Sequence, residues 1–238
     1  MPDNILAILQ NGGLSLKGEF RWGSNYTFLI QVNHNGQSFL AVYKPSLGER
    51  PLWDFPAHSL TKREVAAYLV SQALGWHLIP PTVYRLEAPH GPGSLQQFIQ
   101  HDPQYHYFNF RPEHLLRLRP VALLDVLINN ADRKGSHLIL DPQDNLWAID
   151  HGVCFHEDDK LRTVIWDFAG EPIPEEMMDD INSLCEQLER KSSLLAALSD
   201  YLTPREISAI LSRSKKLTET RQFPYPPSDR RAFPYPLI

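Results

Sequence analysis

The residues best suited to chemistry gather in one short stretch. Asn129-Asn130-Ala131-Asp132-Arg133-Lys134-Gly135-Ser136-His137 is followed, after two apolar runs, by Asp150-His151-Gly152. The runs, Leu138 to Leu140 and Leu146 to Ile149, flank Asp141-Pro142-Gln143-Asp144, a strong turn signal, and so read as a β-hairpin. A hairpin returns the chain to the edge where it began. Asp132, His137 and Asp150 are therefore expected at one end of it. Two carboxylates and an imidazole in one place can hold Mg²⁺ or Mn²⁺ and orient a hydroxyl for attack on a phosphate.

Several elements must hold that stretch in place. Pro120 suits the first turn of a helix running to Asn129, with Val121, Leu124, Leu127 and Ile128 on one face. Upstream, Leu14 to Phe20, Tyr26 to Val32 and Gln37 to Tyr43 read as three strands, the last pair joined by the tight turn His34-Asn35-Gly36. A helix is predicted over Thr61 to Leu74 with Gly75 as its cap, then strands over Thr82 to Leu86 and Ser94 to Ile99. Downstream, helices are predicted over Pro174 to Arg190, Ser193 to Leu202 and Thr203 to Lys216, with Thr203 and Glu206 as a capping box. The tail repeats Phe-Pro-Tyr-Pro at 223–226 and 233–236, a proline density that predicts an extended chain packed on the body.

Composition narrows the function classes. The chain has 238 residues, 42% of them hydrophobic, enough for a sizeable core. Its formal charge is −5, which argues against a nucleic-acid partner. No apolar run reaches the ~20 residues that span a bilayer, and Met1 to Gln10 lacks the pattern of a signal peptide. Cys154 and Cys185 fit no metal motif and are expected as reduced, packed thiols. A cytoplasmic, monomeric enzyme without a transmembrane segment is the expectation.

The stretch from Asp132 to Gly152 resembles the catalytic loop and metal motif of atypical kinases, the group of phosphoinositide kinases and HipA-type kinases. More broadly, the chain is similar to a small bacterial family related to phosphoinositide 3- and 4-kinases, through Ser24-Asn25, Tyr43-Lys44-Pro45, Glu49 to Pro56, Asn129 to Asp132 and Trp166 to Pro172. The resemblance implies an α+β, two-lobed, atypical protein-kinase-like fold. It divides into a β-rich N-lobe over 1–101, a helical C-lobe over 102–221 and an extended tail over 222–238. It also implies ATP and Mg²⁺ or Mn²⁺ as cofactors and an unidentified protein, small-molecule or lipid hydroxyl as phosphate acceptor.

Site roles follow from the same resemblance. Asp132 corresponds to the catalytic aspartate that orients the acceptor hydroxyl, and Asp150 to the metal-binding aspartate. His137 stands where the family has a metal-binding Asn, which shifts the preference towards Mn²⁺. Lys44 ends a strand and matches the lysine on the nucleotide phosphates, and Glu64 matches the helix glutamate that holds it. Thr61-Lys62-Arg63-Glu64 is also a capping box, the competing role for Glu64. Ser24 and Asn25 occupy the phosphate-covering turn, while Gln97 and Phe98 occupy the hinge that receives adenine. Arg133 is placed as a catalytic cation or as a structural partner of Asp150. Three rival readings remain: AMP transfer in the same cleft, a nucleotide-binding scaffold without turnover, and a metal-dependent phosphoesterase that uses Asp132, His137, Asp150 and His151 and leaves Lys44 and Glu64 without a role.

Overall fold

The computed structural model describes residues 5–20 and 25–238, so Ser24 of the expected phosphate-covering turn lies outside the described residues. A five-stranded antiparallel sheet forms the N-lobe in the order β1-β2-β3-β5-β4, from β1 (Gly13–Glu19), β2 (Phe28–His34), β3 (Gln37–Pro45), β4 (Thr82–Arg85) and β5 (Gly93–Gln97). Alternation along β3 assigns its two faces. Ala41 and Tyr43 are buried, whereas Val42 and Lys44 face the other way. The buried face is covered by α1 (Ile5–Asn11), whose Ile5, Ile8 and Leu9 pack against Ile30, Val32, Ala41, Tyr43 and Leu95. The strand reading of the first 45 residues does not anticipate this helix, because seven residues are too few for helical periodicity to stand out.

Helix α2 (Leu60–Ala73) packs behind the sheet and stops at Gly75, whose φ of +70° needs no Cβ. The C-lobe holds the larger core. Its centre is α4 (Arg119–Ile128), entered through the short α3 (Pro112–Leu116), with Val121, Leu123, Leu124, Leu127 and Ile128 fully buried. Each such side chain contributes roughly 1.5–3 kcal/mol, so the end of α4, where the Asp132 loop begins, is firmly anchored. Around α4 lie the hairpin β6 (Leu138–Leu140) and β7 (Leu146–Ala148), then α5 (Glu175–Glu189), α6 (Ser193–Ser199) and α7 (Pro204–Thr220). Helix α7 starts with the expected Thr203–Glu206 capping box.

Two further segments join distant parts. The 49–56 loop bridges the lobes: Asp54 pairs with Lys160 at 2.6 Å, and Phe55 sits between Arg63, at 4.7 Å, and His156, at 5.4 Å. The tail runs extended over the C-lobe with Phe223 buried. The Ala232 carbonyl accepts from Thr163 N at 3.1 Å and the Leu237 carbonyl from Gly135 N at 2.8 Å. Among the described residues, both cysteines are unpaired and no helix is long and apolar enough to cross a membrane.

Candidate active site

Strand alternation turns Lys44 away from the N-lobe core, towards α2 and the loop after β7. There Lys44 Nζ forms an ion pair with Glu64 and lies 2.9 Å from Asp150 Oδ1. Burial alone would lower the Lys44 pKa, but the carboxylates of Asp150 and Glu64 outweigh it and hold the ammonium charged. Glu64 is free to do this because another carboxylate starts its helix. Glu49 accepts from Leu60 N at 3.1 Å, Thr61 N at 2.9 Å and the Thr61 hydroxyl at 3.0 Å, which places a negative charge on the α2 N-terminus. Thr61 lies inside the helix, so the capping-box role for Glu64 does not arise. The second Glu64 oxygen accepts the His151 N–H at 2.9 Å.

The carboxylates come together through the end of α4 and the hairpin. Asn129 closes α4 in the left-handed conformation, and Asn130 Oδ1 accepts the Asp132 N–H at 3.0 Å. After β7, Ile149 N donates to the His137 carbonyl at 3.0 Å, which fixes Asp150 beside His137. His137 Nε2 then lies 3.4 Å from Asp150 Oδ2. Burial, with the nearby Arg133 and Lys134 cations, outweighs Asp150 and pushes the His137 pKa down to about 3, so the imidazole is neutral. Burial would raise Asp150, but Lys44 and His137 pull it well below the usual carboxylate range. Asp132 goes the other way: burial, aided by Asp150, lifts it to about 6 against the pull of Lys134.

A cavity of about 130 Å³ unites Asn25, Lys44, Glu64, Asp132, Lys134 and Asp150 in its lining. Lys134 is the residue the sequence reading missed: its Nζ lies 3.2 Å from Asp132 Oδ2. The signal was in the spacing, since alternate residues of an extended loop share a side and Asp132 and Lys134 are two apart. By the same rule Arg133 must turn inwards, and this corrects its expected place on the reacting phosphate. Arg133 is fully buried: Nε lies 3.1 Å from each Asp125 oxygen, and Nη1 donates to the Ile149 carbonyl at 2.8 Å. Nη2 donates to His151 Nε2 at 2.7 Å. Its salt-bridge partner is Asp125, not Asp150, and it grips the backbone and side chain on either side of Asp150.

Gln97 and Phe98 are not brought to this cavity. Gln97 pairs with Ala41, three positions from Lys44 along β3 and on the core-facing register, while Gln96 pairs with Val42 on the Lys44 face. Gln97 and Phe98 instead line a separate cleft of about 780 Å³ with His77, Asp141 and Trp147. The Phe98 N–H is taken by the Leu40 carbonyl at 2.9 Å. Asn25 does reach the expected cavity, and its Oδ1 accepts the Arg50 N–H at 2.6 Å.

The donor set suits a hard-to-borderline divalent ion. Among the described residues no cluster of three His, Cys, Asp or Glu side chains can hold a metal by itself. Asp150 and His137 offer one oxygen and one neutral nitrogen on the same side. Mg²⁺ and Mn²⁺ commonly take one or two protein ligands and complete their shell with phosphate oxygens and water.

The sequence model for phosphatidylinositol 3- and 4-kinase matches residues 58–200, which contain Glu64, Asp132, His137 and Asp150. The chain belongs to the phosphatidylinositol 3- and 4-kinase family. It is 36% identical over 273 aligned residues to Protein Rv2133c of Mycobacterium tuberculosis, covering 100% of this chain and 97% of that protein. It is 29% identical over 120 residues to phosphatidylinositol 4-kinase gamma 6 of Arabidopsis thaliana, across 43% of this chain and 19% of that enzyme. Among solved structures, the Golgi casein kinase with Mn/ADP bound superposes with a TM-score of 0.56 at 17% identity, covering 91% of this chain and 74% of that one. The kinase family match thus falls on the atypical-kinase fold that the sequence resemblance implied.

Proposed function

We propose that this family member is an ATP- and metal-dependent phosphotransferase that moves the γ-phosphoryl group to a hydroxyl. One observation carries the reading: the Lys44 ammonium is held between Glu64 and Asp150, in one cavity with Asp132 and Lys134. A phosphoryl transfer needs positioned charge more than covalent chemistry, and this cavity offers two cations and four carboxylates, Glu49 among them, with distinct surroundings. The Mn/ADP-bound Golgi casein kinase shares the fold, which supports nucleotide and divalent-metal use here.

Each side chain then has a defined task. Lys44 neutralises nucleotide phosphate oxygens, and Glu64 keeps it extended into the cleft. Val42 and Leu29 are paired in register on the Lys44 face of the sheet, and offer an apolar roof for the base. Asp132 is the acceptor for the hydroxyl proton, because a carboxyl with a pKa of about 6 is ionised at neutral pH yet basic enough to take a proton. Lys134, in contact with Asp132, supplies the second cation at the transferring group, the place expected for Arg133. Asp150 and His137 would hold the divalent ion, which when bound neutralises charge on the phosphate oxygens.

The test is a thermal-shift titration with ATP, alone and with Mg²⁺ or Mn²⁺. A ligand that binds the folded state raises the melting temperature by mass action. A metal-dependent shift that is lost in Asp150→Ala and kept in Asp132→Ala is expected, with labelled product gaining the mass of a phosphate. No shift with any nucleotide or metal would overturn the reading, and a product gaining AMP would replace it with nucleotidyl transfer.

A further inference from the structure

The residue beside Glu64 ties α2 to the C-lobe. Arg63 is only 2% exposed, although it carries a guanidinium and sits on an N-lobe helix. Its guanidinium donates to the Cys154 carbonyl at 2.7 Å, lies over the Phe55 ring at 4.7 Å and forms a buried ion pair with Glu206. Glu206 is in the first turn of α7, and its two oxygens do separate work. One meets Arg63. The other accepts the Thr203 N–H at 2.8 Å and hydroxyl at 3.0 Å, which closes the capping box.

Helix α7 also braces the loops that carry the carboxylates. Arg213 Nε donates to the Leu127 carbonyl at 2.9 Å, at the end of α4, and Nη1 donates to the His156 carbonyl at 3.4 Å, just beyond the Asp150 motif. Glu206 and Arg213 both lie outside residues 58–200, the stretch by which the family is matched.

We propose that Arg63 and Glu206 are positioning residues, through which α7 holds Glu64 against Lys44. The proposal rests on the phosphotransferase reading of Lys44 and Glu64. Consecutive helical residues leave the axis about 100° apart, so Arg63 points to the C-lobe while Glu64 points into the cleft. A turn of α2 that frees one must displace the other. A carboxylate that also starts its own helix is a stiff partner, because moving it uncaps α7. The ion pair is therefore a rigid strut between lobes, set one residue away from the group it steers.

Glu206→Gln tests this cleanly, because Gln still completes a capping box but removes the charge. The readout is the rate at which an amine reagent modifies Lys44 in the full chain, followed by peptide mass spectrometry with exposed Lys17 as the internal reference. Lys44 modification should rise by at least about tenfold in Glu206→Gln, since losing a buried partner readily shifts a local equilibrium by that factor. Metal-dependent ATP turnover should fall in parallel. In a Glu64→Gln background the same change should leave Lys44 labelling where it was, since the steered group is gone. Should Glu206→Gln fail to fold, Arg63→Lys replaces it, keeping the charge but losing the fork that spans Glu206 and the Cys154 carbonyl. A folded Glu206→Gln or Arg63→Lys protein with wild-type Lys44 labelling would overturn the proposal. So would an increase of equal size in the Glu64→Gln background. An absence of ATP turnover in the wild type would refute the phosphotransferase reading, while the labelling comparison would still decide whether the strut holds Glu64.

Discussion

Replacing Lys44 by Met should both silence the site and weaken the fold, for reasons that can be separated. The Glu64 side chain is 4% exposed, and without Lys44 it keeps the His151 N–H at 2.9 Å. Removing one member of a buried ion pair costs about 3–5 kcal/mol, because the remaining charge is stranded. The Lys44 side chain is 22% exposed, so water can partly fill the vacated position, and the lower end, about 3 kcal/mol, is expected. In a chain of this length each kcal/mol moves the melting temperature by roughly 2–4 °C, so the fall should be about 6–12 °C. Adding Glu64→Gln removes the stranded charge, keeps an acceptor for the His151 N–H and should recover more than half of the loss. Neither variant should turn ATP over. Melting followed by far-ultraviolet circular dichroism decides the matter. A Lys44→Met protein that melts with the wild type, or a double variant that melts below the single one, would refute this reasoning.

Turnover should rise with pH through about 6, because Asp132 must be ionised to accept a proton, and Asp132→Asn should abolish turnover while preserving the metal-dependent nucleotide shift. The stability sign follows from the same raised carboxyl: its contribution is complete below 3.8 and is lost as pH rises through about 6, so urea midpoints over that range should fall less in Asp132→Asn. Arg133→Met should strand Asp125, fully buried, and cost about 3–5 kcal/mol in urea denaturation. Arg133→Lys should recover little of it, since an ammonium cannot reach Asp125, the Ile149 carbonyl and His151 together. His137→Asn should move the metal preference in thermal-shift titrations from Mn²⁺ towards Mg²⁺, as an amide oxygen replaces an imidazole nitrogen.

Most strands and helices of the fold were legible because their signals are local. The His34-Asn35-Gly36 turn, the Asp141 to Asp144 turn and the Thr203–Glu206 box each act within a few residues, and each appears where the sequence puts it. The juxtaposition of Asp132, His137 and Asp150 was legible for the same reason, since one short hairpin separates them. Which of two neighbours faces the cleft was written in the sequence only as the alternation of Asp132, Arg133 and Lys134 along an extended loop. Arg133 and Lys134 carry the same charge, and only the buried Asp125, on the preceding helix, draws Arg133 inwards. The role of Glu49 was hidden too, because a carboxylate eleven residues before a helix gives no capping pattern, yet the fold of the 49–56 loop brings it to Leu60 and Thr61. Arg63 and Glu206, 143 positions apart, leave no local trace at all.

The tail has a consequence for the order in which the protein can be completed. Gly135 is buried within the Asp132 to His137 loop, and its N–H finds its acceptor in the carbonyl of Leu237. An N–H left without an acceptor in such a place is costly, so the loop is unfinished until that carbonyl arrives. Translation proceeds from the N-terminus at about 5–20 residues per second, and residue 237 emerges some hundred positions after Gly135. The sheet, the hairpin and α7 can each take shape on the ribosome before then. The loop that carries Asp132 is sealed only afterwards, so a growing chain has made nearly all of its structure about 1–3 seconds before its site is whole.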